Sequence, residues 1–313
     1  MTSLIQLEYI IAVDTYRHFV TAAEKCFVTQ PTLSMQIKKL EDDLGVIIFD
    51  RTKQPIIPTE VGKKVIEQAR KIISESKKIN ELINDYNNSV KGEISIGIIP
   101  SLAPYLLPLF IGKFTKKYPD LQIKVVELLS EEIISLLKKD LLDVGLLVTP
   151  LHEKGIIEQP LFYEEMMVYS NKSHSITKNK TLSIDQLVNP GLWLLGDGHC
   201  FRSQVVNLCN YKNELKNDTH FEYESGSLET IKKLVEVEGG FTILPELAVD
   251  EKNDSSPTII KHFNKEIPLR EVSMIYSRNY TKKKIINLLN NEIVKSIPVH
   301  MLKKERGKIV EWR

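Results

Sequence analysis

Two cysteines, Cys200 and Cys209, are the residues of this sequence best suited to chemistry. Cys200 lies in the segment Gly-Asp-Gly-His-Cys-Phe-Arg at positions 196–202, a pattern that predicts a loop entering a helix. A thiol at the start of a helix, beside His199 and Arg202, is favoured as the thiolate, which is the form that reacts. The segment therefore predicts that Cys200 is a reactive cysteine.

The spacing of the two cysteines indicates what oxidation would do to the chain. If the nine steps between them are helical, their Cα atoms lie ~13 Å apart on opposite faces of the helix. A disulfide needs Cα atoms within about 7 Å, so it would have to unwind the segment. The alternative is that both thiols pack inertly against a sheet. Cys26 falls in an apolar helical pattern and is expected to be a core residue.

Other catalytic patterns are absent from the sequence. It contains no glycine-rich nucleotide-binding motif and no G-x-S-x-G motif, and its seven histidines are scattered. We therefore expect no cofactor and no metal site built on local spacing.

Composition places the chain among ordinary globular proteins. Its 313 residues suit two or three domains, and 42 Lys and Arg nearly balance 41 Asp and Glu. No apolar run approaches the ~18–20 residues of a membrane span, and the first residues do not resemble a signal peptide. These features predict a cytoplasmic protein with reduced thiols and no membrane contact.

The first 58 residues predict a helix-turn-helix followed by a wing. Two short helical patterns precede a third, which begins after Thr29 and ends at Gly45, both suited to helix caps. Its polar face could enter a major groove, although an ordinary solvated face is the alternative. The candidate DNA contacts on this face are Gln30, Pro31, Thr32, Ser34, Gln36 and Lys38. Two short strand patterns follow, which would bring Arg51 and Lys53 to the phosphate backbone. Thr59, just after the second strand pattern, is a further candidate DNA contact.

Net charge does not by itself indicate nucleic-acid binding in this segment. Residues 1–58 contain six Lys and Arg but seven Asp and Glu. Affinity for DNA would therefore have to come from a few placed contacts rather than from a general positive field.

Residues 59–89 predict a long helix with an apolar seam. Apolar positions recur at alternating spacings of four and three, which is the pattern of a helix that pairs with another. Roughly 29 residues would form a rod of ~44 Å. The alternative is a long helix packed on its own domain. The candidate dimer positions are Val65, Ala69, Ile72, Ile79 and Ile83.

Residues 92–313 alternate between strand and helix patterns, which favours parallel α/β sheets. Predicted strands are 94–99, 123–128, 144–148, 167–169, 192–195, 221–224, 242–244 and 272–276, and predicted helices are 105–117, 131–139, 228–238 and 282–296. Ligands bind such sheets where loops leave the carboxyl ends of strands, so Ser101 and Ser130 are candidate pocket residues. The charged residues 303–313 predict a loose tail.

The N-terminal third resembles LysR-type transcriptional regulators, and the resemblance continues through nearly the whole chain. It rests on Arg17-His-Phe19, on the run from Thr29 to Glu41, on Leu44-Gly45 and on Phe49-Asp-Arg51. The resemblance implies an all-α winged helix-turn-helix domain at 1–58, a dimerisation linker helix at 59–89 and an α/β regulatory domain at 92–313. The regulatory domain would consist of two Rossmann-like, periplasmic-binding-protein-like subdomains, at about 92–164 plus 269–300 and about 165–268.

Within that family, further motifs are similar to those of the hydrogen peroxide sensors. They are the segments 98–101, 104–108, 198–202 with Cys209, 218–221, 227–230 and 244–245. The resemblance implies that Cys200 is the peroxidatic thiol, that Cys209 resolves it, and that His199 and Arg202 hold or polarise the peroxide. Ser101 and Ser130 stand where those sensors have threonine. Lys38 replaces an arginine, which keeps the charge and loses the bidentate fork.

The implied partners follow from this resemblance. They are double-stranded promoter DNA, hydrogen peroxide, further copies of the chain in a homodimer or homotetramer, RNA polymerase, and a thiol reductant such as glutaredoxin or thioredoxin. The chain would activate antioxidant genes and would not be an enzyme. Two alternatives remain open at this point: a LysR-type regulator that answers a small metabolite, and a thiol peroxidase, which would leave the recognition helix and the apolar seam without a role.

Overall fold

The computed structural model describes residues 2–86, 90–178, 181–187, 191–209, 226–249, 256–264, 266–278 and 282–313, with side chains left out at 77, 78 and 80–86. The chain forms two compact units, one built from Met1–Val90 and the other from Lys91–Arg278 with Lys283–Arg313. None of the described helices is both long and apolar enough to cross a bilayer.

The first unit is a winged helix-turn-helix continued by a long helix. Its elements are α1 (Leu4–Tyr16), α2 (Phe19–Lys25), α3 (Gln30–Leu44), the antiparallel pair β1 (Phe49–Asp50) and β2 (Ile57–Pro58), and α4 (Glu60–Tyr86). The predicted caps of α3 are confirmed: the Thr29 hydroxyl accepts a hydrogen bond from the Thr32 amide, and Gly45 adopts a left-handed conformation with φ of 67°. Leu33, Ile37 and Leu40 bury the apolar face of α3 in the core of this unit.

The beginning of α4 packs tightly against the segment before the wing. Thr59 caps the helix, because its Oγ1 accepts a hydrogen bond from the Gly62 amide at 2.9 Å. The same hydroxyl donates to the Ile47 carbonyl oxygen at 2.7 Å. A Cβ atom at Gly62 would lie 2.1 Å from the Ile48 carbonyl oxygen, so only glycine allows this approach.

The predicted seam of α4 is divided between two environments. Ala69 is buried and Val65 is half-buried, and both pack into the core of their own unit. Ile72 is 40% exposed and Ile79 is 60% exposed. The side chain of Ile83 lies outside the described residues. Val65 and Ala69 therefore stabilise the first unit, which we call the head. Ile72 and Ile79 expose apolar side chains on the surface of α4.

The second unit contains a mixed sheet covered by helices. Its elements are β3 (Gly92–Ile98), α5 (Ala103–Lys117), β4 (Leu121–Glu127), α6 (Ser130–Lys138), β5 (Val144–Thr149), β6 (Ile156–Asn171), α7 (Cys200–Cys209), α8 (Leu228–Glu238), β7 (Phe241–Pro245), β8 (Thr258–Lys261), β9 (Pro268–Ser277), α9 (Lys283–Ser296) and β10 (Lys308–Ile309). The main strand order is β4-β3-β5-β9-β6-β7. The four helices predicted in this part of the chain are confirmed within two residues at each end.

The prediction of wholly parallel sheets is wrong. The β3–β4 and β3–β5 pairs are parallel, whereas β5–β9, β6–β9, β6–β7 and β6–β8 are antiparallel. Hydrophobic periodicity identifies a strand but not its partner or its direction, which explains the error. Each antiparallel pair in the second unit contains β6 or β9, which are the longest strands of that unit.

Strand β6 joins the two lobes of the second unit. Its residues 156–165 pair with β9, and its residues 166–171 pair with β7 and β8. The first lobe therefore carries β3, β4 and β5, and the second carries β7, β8 and helices α7 and α8. This α/β architecture with two lobes agrees with the fold expected from the sequence.

Two further sequence predictions are wrong, and a third concerns residues outside the described part of the chain. Residues 192–195 form no strand, although Leu192 makes an isolated bridge with Phe241. Residues 303–313 are not a loose tail, because β10 pairs with the start of β9 and hydrogen-bonds the backbone groups on that edge of the strand. The predicted strand 221–224 lies outside the described residues.

The close approach at Gly62 generates a stability prediction. We expect Gly62→Ala to lower the free energy of unfolding of the head by roughly 1–3 kcal/mol, because the added methyl meets backbone rather than a movable side chain. The matched control is Gly112→Ala in α5, where nothing lies within 4 Å of the added atom. Thermal unfolding of the full chain measures both, and an unchanged head transition in Gly62→Ala would contradict the prediction.

Candidate functional site

The two candidate thiols occupy the opposite ends of helix α7. Cys200 is its first residue and Cys209 its last, both are buried, and neither is in a disulfide. The predicted helix between them is thus confirmed. Nine helical steps separate the Cα atoms by ~13 Å, which is beyond the reach of a disulfide. The thiols cannot bond while α7 is intact.

The surroundings of Cys200 favour its neutral thiol. Burial raises the pKa of Cys200, while the Ser130 hydroxyl, the Arg270 charge and the backbone amides at the start of α7 lower it, without reversing the direction. This direction is opposite to the resting thiolate expected from the sequence, because removal from water disfavours the charged form more than these neighbours favour it. The same neighbours supply the means of stabilising a thiolate once it forms.

Arg270 is the residue that sequence reasoning missed. It lies in β9, is fully buried, and donates from Nη1 to Ser101 Oγ at 3.1 Å and from Nη2 to the Ser101 carbonyl oxygen at 3.2 Å. Its guanidinium lies 5.1 Å from the centre of the Phe201 ring. Arg270 directly precedes Glu271 and lies just before the predicted strand 272–276, so no clear signal in the sequence indicated that its charge would be buried.

The partner of this buried charge is Glu164 in β6. Arg270 Nε donates to Glu164 Oε1 at 2.5 Å, and the Leu247 amide donates to Glu164 Oε2 at 3.2 Å. Burial raises the pKa of Glu164, whereas the Arg270 charge and the Leu247 amide lower it. The carboxylate thus fixes the guanidinium at the junction of the long strands β6 and β9.

The two candidate serines lie at the carboxyl ends of parallel strands, as the sequence predicted. Ser101 follows β3 and is buried beneath the Arg270 guanidinium. Ser130 begins α6, just after β4, and its hydroxyl is buried. Its influence on the pKa of Cys200 places this hydroxyl beside the thiol. Loops from two adjacent strands therefore bring both hydroxyls to the start of α7.

His199 and Arg202 have other surroundings than the sequence suggested. Arg202 donates from Nη1 to the Leu195 carbonyl oxygen at 2.9 Å and forms an ion pair with Asp197 at 2.8 Å. These bonds hold the loop before α7 rather than the thiol. His199 is half-buried, and burial lowers its pKa, which favours the neutral imidazole. The cationic neighbour of Cys200 is therefore Arg270 instead of Arg202.

Cys209 lies in the hydrophobic core of the second lobe. It packs in one cluster with Phe201, Val205 and the apolar residues of β7 and α8. Burial raises the pKa of Cys209 to about 12, so this thiol is protonated at neutral pH. Within the described parts of the chain, no group of three or more His, Cys, Asp or Glu side chains could hold a metal ion.

The polar face of α3 forms the candidate nucleic-acid interface. Gln30, Pro31 and Lys38 are exposed, and Thr32 is half-exposed at the helix start. The other predicted contacts are tied to the head, since Gln36 Oε1 accepts from Gln6 Nε2 at 3.3 Å and the Ser34 hydroxyl accepts from Arg51 at 3.4 Å. Thr59 serves as a helix cap, and its exposure to DNA remains a prediction.

Glu41 positions the wing and was also missed. Its Oε1 accepts hydrogen bonds from the Ile48 and Phe49 amides at 2.8 and 3.2 Å, and its Oε2 binds Arg51 at 2.9 Å. The Arg51 guanidinium also lies 5.2 Å from the centre of the Phe19 ring. These bonds hold Arg51 between α3 and the wing.

Comparison with known proteins identifies both parts of the chain. A model described as bacterial regulatory helix-turn-helix protein, lysR family, matches residues 4–63, and one described as LysR substrate binding domain matches residues 87–291. A hydrogen peroxide-inducible genes activator from Haemophilus influenzae is 34% identical over 271 residues, which cover 86% of this chain and 89% of that protein.

Solved structures support the same family assignment. A full-length OxyR variant from Pseudomonas aeruginosa matches with a TM-score of 0.76 and 32% identity over 94% of this chain and 98% of that one. A hydrogen-peroxide-bound OxyR mutant from Corynebacterium glutamicum matches with a TM-score of 0.62 and 26% identity over 95% and 92% of the two chains. With both domain models matched in order, this chain belongs to the LysR family of DNA-binding transcriptional regulators.

Proposed function

We propose that this regulator senses hydrogen peroxide through a reversible disulfide between Cys200 and Cys209 and that the disulfide changes its contacts with promoter DNA, including that of antioxidant genes. The observation that carries the proposal is a single helix with a buried free thiol at each end, the first beside Ser130 and Arg270. Relatives named as peroxide-inducible activators, and an OxyR structure with bound peroxide, support it.

The proposed chemistry has two balanced steps. In the first, the Cys200 sulfur attacks one oxygen of hydrogen peroxide, the O–O bond breaks, and the products are the Cys200 sulfenic acid and water. In the second, the Cys209 sulfur displaces the hydroxyl of the sulfenic acid, which forms the disulfide and releases a second water. Each step transfers the thiol proton to the departing oxygen.

Arg270, Ser101 and Ser130 are suited to assist the first step. The positive guanidinium stabilises the negative charge of the thiolate as it forms and the negative charge on the departing oxygen. The Ser130 hydroxyl, which lies beside the thiol, can donate a hydrogen bond to the thiolate or the peroxide, and the Ser101 hydroxyl is oriented by Arg270. Half-buried His199 lies at the same helix start, and Arg202 maintains the loop that leads to it.

The second step converts chemistry into a change of shape. Because α7 holds the thiols ~13 Å apart, the disulfide forms only if the helix unwinds at least in part. Unwinding removes Cys209 and its neighbours from the core of the second lobe. A buried helix that exists in one redox state and not in the other is the bistable element that such a switch needs.

Assembly would carry this change to DNA. The exposed Ile72 and Ile79 of α4, with Ile83, are suited to pairing with a second copy of the chain, and a homotetramer is the proposed working form. RNA polymerase would be the activated partner, and a thiol reductant such as glutaredoxin or thioredoxin would restore the thiols. The protein would act in the cytoplasm, once per oxidation rather than as a thiol peroxidase with turnover.

The central prediction concerns Cys200 itself. We expect Cys200→Ser to abolish the peroxide-dependent change in the DNA footprint and to leave DNA binding in place, because the serine hydroxyl does not attack peroxide at neutral pH. Cys26→Ser is the control, since Cys26 lies in the other unit. A footprint that still responds in Cys200→Ser would contradict the proposal and favour a regulator that answers a small metabolite.

The Arg270 charge generates a prediction about pH. Because the pKa of Cys200 is raised, the rate of sulfenic acid formation should increase as pH rises and the thiolate fraction grows. We expect Arg270→Gln, combined with Glu164→Gln so that no lone carboxylate is buried, to shift this profile to higher pH. The rate at pH 7 should fall about ten- to hundredfold, which is the effect of losing a nearby opposite charge. The pH profile of Arg270→Lys, which retains the charge, should lie closer to that of the parent. Coincident pH profiles for the parent, Arg270→Lys and the double variant would refute the role of Arg270 in stabilising the thiolate.

A separate prediction tests the recognition helix. Lys38→Ala should weaken binding to promoter DNA, and if Lys38 contacts a phosphate the salt dependence of binding should fall by about one charge. Lys113→Ala, an exposed change on α5 in the other unit, is the control. Titrations at several salt concentrations give the affinity and the salt slope of each protein, and a Lys38→Ala variant that binds as tightly as the parent would remove Lys38 from the interface.

A further inference from the structure

The segment 308–313, which we call the strap, lies across the second unit and contacts both lobes. Lys308 and Ile309 pair with the start of β9, and the Val310 amide donates to the Leu269 carbonyl oxygen at 2.8 Å. The strap is therefore hydrogen-bonded to β9 directly beside Arg270.

Two side chains of α7 bind the strap on its second-lobe side. Gln204 Nε2 donates to the Val310 carbonyl oxygen at 2.6 Å, and Asn207 Nδ2 donates to the Glu311 carbonyl oxygen at 2.9 Å. The two residues are three positions apart, so they share one face of the helix. Both lie between the thiols, in the part of the chain that a disulfide must rearrange.

The amide of Gln204 is committed to this single bond. Gln204 is fully buried, and its Oε1 has no hydrogen-bond partner among the described residues. A buried polar group left partly unsatisfied is unfavourable, so the bond to Val310 is what stabilises the side chain in this position. Methionine has nearly the same shape and would lose only the polar atoms.

The other end of the strap is bound to the first lobe. Trp312 Nε1 donates to the Val148 carbonyl oxygen at 3.2 Å. Arg313 donates to the Leu151 carbonyl oxygen at 2.9 Å and forms ion pairs with Glu131 at 2.6 Å and Glu153 at 2.9 Å. The strap thus links α7 to residues outside its own lobe.

We propose that Gln204 and Asn207 are positioning residues that hold α7 to the strap, keep the two thiols apart in the reduced protein and slow the second step of the redox reaction. This inference rests on the proposed function. Their side chains reach the strap only while residues 204–207 are helical, so unwinding of α7 breaks both bonds. The condensation of the Cys200 sulfenic acid with the Cys209 thiol, which releases water, must proceed against these bonds.

The first step does not involve them. Sulfenic acid forms at the start of α7, where Ser130 and Arg270 influence the thiol and neither strap-binding side chain makes a hydrogen bond. Loss of the strap contacts should therefore separate the two steps kinetically. A merely structural role would change both rates or neither.

The test uses the full chain with Gln204→Met and Asn207→Ala, singly and together. Sulfenic acid formation is measured with hydrogen peroxide and a sulfenic-acid trapping reagent in a Cys209→Ser background. Disulfide formation is measured by mass spectrometry of cysteine peptides after rapid mixing. We expect the first rate to change by less than about twofold and the second to increase about five- to tenfold for each lost hydrogen bond.

Thr242→Val is the matched control. It removes another buried side-chain bond to backbone in the same lobe, from Thr242 Oγ1 to the Trp193 carbonyl oxygen at 2.8 Å, without touching α7 or the strap. Its ratio of the two rates should equal that of the parent. An unchanged disulfide rate in both Gln204→Met and Asn207→Ala, or the same acceleration in Thr242→Val, would overturn the positioning role. Asn207 is exposed, so its substitution keeps the test valid if Gln204→Met does not fold.

Hydrogen exchange of the reduced protein provides a readout without peroxide. The amides of α7 should exchange about five- to tenfold faster in either strap variant than in the parent. If the parent forms the disulfide but the variants match it in exchange and in rate, only the positioning role fails. If the parent forms no Cys200–Cys209 disulfide, the proposed function fails and the positioning role fails with it.

Discussion

The buried ion pair between Arg270 and Glu164 is the interaction on which the proposed redox site depends. Both side chains are fully buried at the junction of β6 and β9, the two strands that connect the lobes. Removing one partner of such a pair costs about 3–5 kcal/mol, because the other charge is left without compensation. The same guanidinium holds Ser101 and acts on Cys200, so the structure of the junction and the reactivity of the thiol depend on one residue.

Burial gives the two thiols different properties from those of an exposed reactive cysteine. Burial raises the pKa of Cys200 against the opposing effect of a cation and a hydroxyl, whereas Cys209 packs among apolar residues of the described core and has a pKa of about 12. In the proposed mechanism the first thiol attacks a small oxidant, and the second reacts only after it leaves the core. Helix α7 separates these two environments, and its hydrogen bonds to segment 308–313 connect it to the first lobe.

Much of the head and part of the site follow from local patterns. Thr29, Pro31 and Gly45 define the ends of the recognition helix, because caps depend on residues adjacent in the chain. Ser101 and Ser130 follow from strand ends, and the helix between Cys200 and Cys209 follows from periodicity. The direction of β9, the order of segment 308–313 and the intramolecular packing of Ala69 do not, since each depends on a partner distant in sequence.

The amino-acid sequence by itself determined the helix-turn-helix, the long linker helix, the two-lobed α/β class and the pair of thiols whose helical spacing forbids a bond. Only the tertiary structure decided which cation faces Cys200. Neighbouring positions suggested Arg202, yet that side chain binds Asp197 and the Leu195 carbonyl oxygen, and Arg270 reaches the site from β9. Charge acts through distance in space and through burial, and neither quantity can be obtained from separation along the chain.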